Sequence, residues 1–360
     1  MAADTATEST QDAPTIPARR GAADTAATTT PAGPPDSVTA TPAGPPHADG
    51  GPAAPRLASL SPSRAADFKT CPLLYRFRTI DRLPERPTAE QARGTLVHAV
   101  LERLFDLPAG DRTPDAAAAL VEPQWQRLRE AEAGLAELFA TDPPDDPDQP
   151  ADTPLVGDDL VVPPAGDPAA QAEFLASARA LLAGYFAVED PRRLEPAERE
   201  ALVSAVVEDQ LLIRGYIDRL DVAPDGALRV VDYKTGGAPR EAFEARALFQ
   251  LKFYALVLWR TRGTVPRVLR LLYLRDEEIC DYTPDAEELA RFERTLLALW
   301  RAIERATATR DFRPKPSRLC GWCNHQAHCP AYGGTPPPFP EVVPMSAPVT
   351  ATPEAPGADE

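Results

Sequence analysis

From residue 57 onward the apolar positions follow first a helical and then a strand period. Leu60-Ser61-Pro62-Ser63-Arg64 reads as a helix start, with Ser61 as N-cap and Pro62 in the first turn, and that helix ends near Cys71-Pro72. After Thr88, the positions Leu96, Val97, Val100, Leu101 and Leu104 recur at helical spacing, which predicts a helix closing before Pro108. Residues 114–139 and 169–187 read as two further helices. The period then shortens. Ala201–Val207, Leu211–Asp218 and Leu228–Tyr233 read as strands, the last two joined by a turn at Pro224-Asp225-Gly226. A long helix over Glu241–Arg262, a strand pair at Arg267–Leu274 and Glu278–Tyr282, and a helix over Asp285–Thr309 complete the pattern. Helices first, then a mixed sheet with interleaved helices, define an α/β core.

Composition changes where that core begins and ends. The 360 residues carry a formal charge of −16, which argues at first against a polyanionic partner. All of that excess lies in residues 1–55, 141–170 and 333–360, which also hold 26 of the 42 prolines and few aromatics. Such stretches cannot bury enough apolar surface to offset the entropy of ordering, so a disordered tail, an acidic disordered insert and a second tail are expected around a domain at 56–332. The remainder holds 36 acids and 36 bases, and a basic patch of Arg76, Arg78, Arg82 and Arg86 follows the first helix. A neutral core of this kind can still meet DNA if its arginines share a face. No run of 18 apolar residues and no apolar leader is visible, so the expectation is a cytoplasmic protein without a membrane span.

Two constellations carry chemistry. In the first, Arg214-Gly-Tyr-Ile-Asp218-Arg-Leu-Asp221 precedes Val230-Val-Asp232-Tyr-Lys234-Thr-Gly236. Asp232 and Lys234 lie two apart on a strand and project together, and Asp218 can come alongside from the neighbouring strand. Two converging carboxylates need a cation, and Mg²⁺ or Mn²⁺ suits oxygen ligands. The chain has 34 Arg and only four Lys, so a lysine at position 234 points to a compact ammonium whose pKa can fall. The bland alternative is a surface ion pair at a strand end. Gly94, His98 and Glu102 stack on one helical face, where His98 is a second candidate ligand or simply a polar-face histidine. Gln250 and Tyr254 share a face of the helix at 241–262.

In the second, Cys320, Cys323 and Cys329 fall within ten residues. Either His325 or His328 completes a zinc site locally, or Cys71 does so from the far end of the domain, where four thiolates suit an iron–sulfur cluster. Cys71-Pro72 and Cys329-Pro330 mark the two ends alike. Cys280 reads as an ordinary buried thiol on a strand.

These motifs, in this order from residue 57 to 332, resemble a RecB-type nuclease of the PD-(D/E)XK superfamily. The similarity is to the branch with an iron–sulfur cluster, which includes AddB-type domains and nucleases of CRISPR adaptation. The resemblance implies a restriction-endonuclease-like core with a 4Fe-4S cluster on Cys71, Cys320, Cys323 and Cys329. It implies Mg²⁺ or Mn²⁺ on His98, Asp218, Asp232 and the carbonyl of Tyr233, with Lys234 catalytic and Gln250 and Tyr254 beside the active site and the DNA. The implied activity is a DNA exonuclease of repair or recombination, acting on single strands or duplex ends. No helicase motif is present, so any helicase would be a separate partner. Arg76, Arg78 and Arg82 are expected DNA contacts. The competing reading is a non-catalytic, cluster- or zinc-stapled binding module.

Overall fold

The computed structural model describes residues 56–139, 167–208, 210–238, 244–341 and 346–348. The expected N-terminal tail, most of the acidic insert and most of the C-terminal tail lie outside these residues. Strand β1 (Arg56–Leu60) leads into α1 (Pro62–Thr70), whose first turn is capped by the Ser61 hydroxyl accepting from the Arg64 amide. Helix α2 (Pro72–Tyr75) continues as a π-turn to Ile80. Helix α3 (Ala89–Leu104) starts on a capping box in which Thr88 and Gln91 satisfy each other's amides. Then come α4 (Pro114–Ala131), the short α5 (Ala133–Ala136) and α6 (Pro168–Val188). Strands β2 (Glu198–Val207), β3 (Leu211–Val222) and β4 (Leu228–Lys234) precede α7 (Glu244–Arg262). The chain closes with β5 (Val268–Tyr273), β6 (Glu278–Tyr282), α8 (Ala286–Thr309) and β7 (Ser346–Pro348).

The seven strands form one mixed sheet in the order β6-β5-β4-β3-β1-β7, with β2 pairing β3 off this path. One face packs on α1, α2, α7 and α8 through Leu60, Leu211, Val230, Leu251 and Leu296. The other is covered by α3, α4 and α6, where Leu96, Val100, Trp125 and Leu182 meet Val231, Tyr233 and Leu272. This is the three-layer α/β arrangement expected of alternating helical and strand periods.

Register places the site. Strand β2 pairs with β3 from Leu211 to Leu220. On the opposite edge of β3, β1 covers only Leu211–Ile213, while β4 covers only Arg219–Val222. Residues 214–218 of that edge therefore have no strand partner, and β1 and β4 diverge from them like a fork. Tyr254 and Pro62 fill the gap: a Cβ on Gly215 would lie 2.7 Å from the Tyr254 ring and 3.3 Å from Pro62. Glycine is required there for close approach, not for its φ.

Several sequence expectations are corrected. Strand β3 does not end at Asp218 but runs four residues further. The long 114–139 helix breaks at Glu132, whose backbone is extended. The end of the expected insert is helical, since Asp167 caps α6 by accepting from the amides of Ala169 and Ala170. Past residue 332 the chain still packs: Phe339 stacks on Phe312, with centroids 6.1 Å apart, and β7 pairs with β1.

Among the described residues no helix is long and apolar enough to cross a membrane. Helix α6 approaches β5 closely enough that a Cβ on Gly184 would lie 2.0 Å from the Leu274 carbonyl oxygen. Gly184→Ala should therefore destabilise the fold by about 1–3 kcal/mol, because backbone rather than a flexible side chain must yield. Chemical denaturation checks this, and an unchanged midpoint would show that α6 does not dock there.

Candidate active site

Asp218 sits where the fork opens. Its Oδ2 accepts the Tyr233 amide at 2.8 Å, in place of a strand partner for that N–H. Asp232 is 1 % exposed, and its Oδ2 lies 2.5 Å from Lys234 Nζ. No hydrogen bond of good geometry reaches that Oδ2, so a buried carboxylate oxygen is left with Lys234 as its counter-charge. Lys234 Nζ also donates to Gln250 Oε1 at 3.0 Å, and Gln250 Nε2 donates to the Tyr254 hydroxyl at 3.0 Å. Gln250 and Tyr254 thus stand behind Lys234 and set its direction. Burial, first among the causes, raises the Tyr254 pKa, which keeps the hydroxyl protonated.

His98 reaches the same point from α3. Its Nε2 is 3.0 Å from the Tyr233 carbonyl oxygen, and its Nδ1 is 3.5 Å from both Asp218 Oδ2 and Glu200 Oε1. With Nε2–H donating to the carbonyl, Nδ1 faces the carboxylates. The Tyr233 carbonyl, expected as a metal ligand, here orients the imidazole. Gly94 serves the docking of α3, since a Cβ there would lie 3.3 Å from Thr235 Oγ1.

The electrostatics are those of crowded carboxylates. Burial, then the neighbouring Asp232, pushes Asp218 up to about 7. Burial opposes charge on His98, but Asp218 foremost, with Glu200 and Asp232, raises it to about 9. His98, Glu200 and Asp218 offer ligand atoms within 4.8 Å of one another. An imidazole nitrogen, clustered carboxylates and the buried Asp232 carboxylate form a donor set that fits a divalent cation.

Glu200 is not among the candidates the sequence offers, because the apolar pattern starts that strand at Ala201. Its backbone is left-handed, with φ 43°, near the start of β2. That kink interrupts the β2–β3 ladder between Arg199 and Ala201, opposite Asp218. Only its being an acid one residue before an apolar strand could have flagged it.

The four expected thiols come together as well. Cys71, between α1 and α2, lines one cavity of about 210 Å³ with Cys320, Cys323 and Cys329. The Lys315 amide lies 3.4 Å from Cys71 Sγ and the Ser317 amide 3.3 Å from Cys320 Sγ. Neither His325 nor His328 lines that cavity. His325 is buried against Glu85, Nε2 to Oε1 2.7 Å, and against the Phe77 ring. Cys280 is half-buried on β6 and does not line that cavity.

The basic patch is corrected in part. Arg76 is buried and committed to Asp81 at 3.0 Å and to the Pro337 carbonyl. Arg78 bridges Asp67 and Glu85 at 2.8 and 2.7 Å. Of the three expected DNA contacts, Arg82 remains exposed and has no ion-pair partner among the described residues.

A sequence profile described as the PD-(D/E)XK nuclease superfamily matches residues 59–330. The chain belongs to that superfamily. It is 25 % identical over 312 residues to the Gene 69 protein of Mycobacterium phage D29, covering 77 % of this chain and 98 % of the phage protein. A candidate exonuclease from Eubacterium rectale superposes with a TM-score of 0.42 at 10 % identity, covering 74 % of this chain and 88 % of that one. The protein SSO0001 superposes with a TM-score of 0.28 at 20 % identity, over 46 % of this chain and 73 % of that one. Both scores are below 0.5, and the assignment rests on the sequence match.

Left-handed backbone costs a non-glycine residue about 1–2 kcal/mol, and Glu200 adds a third carboxylate beside Asp218. Glu200→Gly should leave the melting temperature unchanged or raise it while slowing nucleolysis about tenfold or more. A variant that melts lower and cleaves normally would remove Glu200 from the site.

Proposed function

We propose that this chain is a divalent-metal-dependent DNA exonuclease of repair or recombination, stapled at its ends by a 4Fe-4S cluster. The convergence of His98, Glu200 and Asp218 beside the Asp232–Lys234 pair is the observation that carries this reading. His98 through Nδ1, Asp218 and Asp232 would hold Mg²⁺ or Mn²⁺, with Glu200 at the remaining side and the Tyr233 carbonyl fixing the imidazole. When bound, the cation supplies Lewis-acid stabilisation of charge on the scissile phosphate.

The chain's own groups do the rest. Lys234, held by Asp232 and Gln250, points its ammonium at the place where an attacking water must lie in line with the leaving oxygen. An ammonium there orients the water and balances charge growing on the phosphate oxygens. Gln250 and Tyr254 keep that ammonium from swinging out, a positioning task.

One feature favours the cluster over the local zinc site: four thiols line the cavity, and neither His325 nor His328 does. Backbone amides aimed at Cys71 and Cys320 suit sulfurs that carry negative charge as metal-bound thiolates. The cluster would join residue 71 to residue 329 and act as a structural clamp.

Cleavage of end-labelled single- and double-stranded DNA with Mg²⁺ or Mn²⁺ tests the activity. Lys234→Ala should lose about 10²–10³-fold or more in rate with its fold and brown colour intact, and EDTA should stop the wild type. Equal rates for wild type and Lys234→Ala would sink the site assignment. Degradation of no DNA with either metal would favour a non-catalytic binding module. Separately, the purified protein should contain about four iron and four sulfide per chain and absorb near ~400 nm. Cys71→Ser should lower both and the melting temperature. Colourless wild type holding one zinc would refute the cluster.

A further inference from the structure

The catalytic cleft has a wall that the nuclease chemistry does not use. A space of about 540 Å³ is lined by Gly94, Thr95, His98, Ala99, Glu102, Glu200 and Tyr216. All but one of these lie on α3 or belong to the carboxylate cluster. Tyr216 is the exception: it stands on β3 with 57 % of its surface exposed, two residues before Asp218. A tyrosine in the middle of a sheet would ordinarily be covered. Here α3 covers this face only further along, where Arg199 of β2 donates to the Glu102 carbonyl. Across the ladder from Tyr216 is Leu202, itself 37 % exposed, so the two make an open apolar step at the rim of the site.

The step continues into positive charge. Arg214 lies two residues before Tyr216 and therefore on the same face of β3. Its partner across the β2 ladder is Ser204, so no acid of β2 neutralises it. Beyond it, Arg64 is anchored with Nη1 3.3 Å from Ser59 Oγ, and Ser59 pairs with Leu212 of β3 on that same face. Burial, first among the causes, lowers the Arg64 pKa, and the fields of Arg214 and Arg82 lower it further, so each of those two lies within electrostatic reach of Arg64. Neither Arg214 nor Arg82 has an ion-pair partner among the described residues. Acids compensate Arg76, Arg78 and Arg219 elsewhere in the fold.

We propose that Tyr216 is a stacking platform for a nucleobase of single-stranded DNA, and that Arg214, Arg64 and Arg82 hold the phosphates of the strand leading away from the scissile bond. An exposed aromatic beside a row of uncompensated cations is the combination that binds single strands without reading sequence. A base in a duplex has both faces covered by its neighbours and cannot lie on the ring, so the platform selects single strands or frayed ends. This inference rests on the nuclease reading for the direction of the strand, but not for the contact itself.

The test measures binding apart from cleavage. Fluorescence anisotropy of a labelled oligo-dT and of a blunt duplex is followed in EDTA, with the full chain. Tyr216→Ala should bind the oligo-dT about 5- to 100-fold more weakly, Tyr216→Trp should bind it at least as well as wild type, and the duplex should be little changed. Arg214→Gln should weaken oligo-dT binding and reduce the salt slope by about 0.7. Because Tyr216 is exposed, equal melting temperatures should accompany these changes. Tyr216→Ala binding like wild type, Tyr216→Trp as weak as Tyr216→Ala, or equal losses on oligo-dT and duplex would each overturn the platform. Cleavage by wild type together with undiminished oligo-dT affinity in Tyr216→Ala overturns the platform alone. Tyr216-dependent binding by a wild type that never cleaves supports the platform and removes the nuclease reading alone.

Discussion

The hydrogen bond from the Tyr233 amide to the Asp218 carboxylate is the contact on which the site is built. An N–H at the end of β4 must find an acceptor, and β3 has already turned away from it. Asp218 supplies that acceptor from its side chain. The strands can then part without an orphaned donor, and the carboxylate is fixed in the fork. Tyr233 in turn presents its carbonyl to His98, which ties α3 to the opening. Loss of the Asp218 carboxylate would therefore leave a buried donor unsatisfied and free His98 to turn, so this residue shapes the place as well as occupying it.

A second chain of contacts fixes the cation. Tyr254 packs on Gly215 in the gap, its hydroxyl holds Gln250, and Gln250 holds Lys234 against Asp232. The two series meet at β4, one on Tyr233 and the other on its neighbours Asp232 and Lys234. A three-residue stretch thus sets the geometry of both the acids and the ammonium. Arginine at position 234 could not take the same role, because its planar fork would have to satisfy several acceptors at once where the relay offers one carboxylate and one amide oxygen.

How far this was legible follows from the range of each signal. Helical period placed Gly94, His98 and Glu102 on one face, and all three line the cleft. Strand period placed Asp232 and Lys234 together, and cysteine placement anticipated one cavity for four thiols. What stayed hidden depends on partners far away in the chain. Strand β1 is five residues long and acquires its identity from pairing with Leu211–Ile213. Arg76 and Arg78 look like surface cations until Asp81, Asp67 and Glu85 are seen to claim them. Glu200 takes a backbone conformation that no propensity favours for a glutamate, so the apolar pattern that begins at Ala201 passes it by.

The position of Glu200 also explains the charge state of the site. Glu200, Asp218 and Asp232 bring three carboxylates together, and Lys234 balances one of them directly. Burial disfavours a bare charge on Asp218, and protons take up part of the difference: His98 holds one up to about 9 and Asp218 gains one near 7. A pair of acids alone could be neutralised by Lys234 and a single proton. The third acid makes the balance fall short by more than one charge, so Lys234 alone does not offset the carboxylates gathered around Asp218.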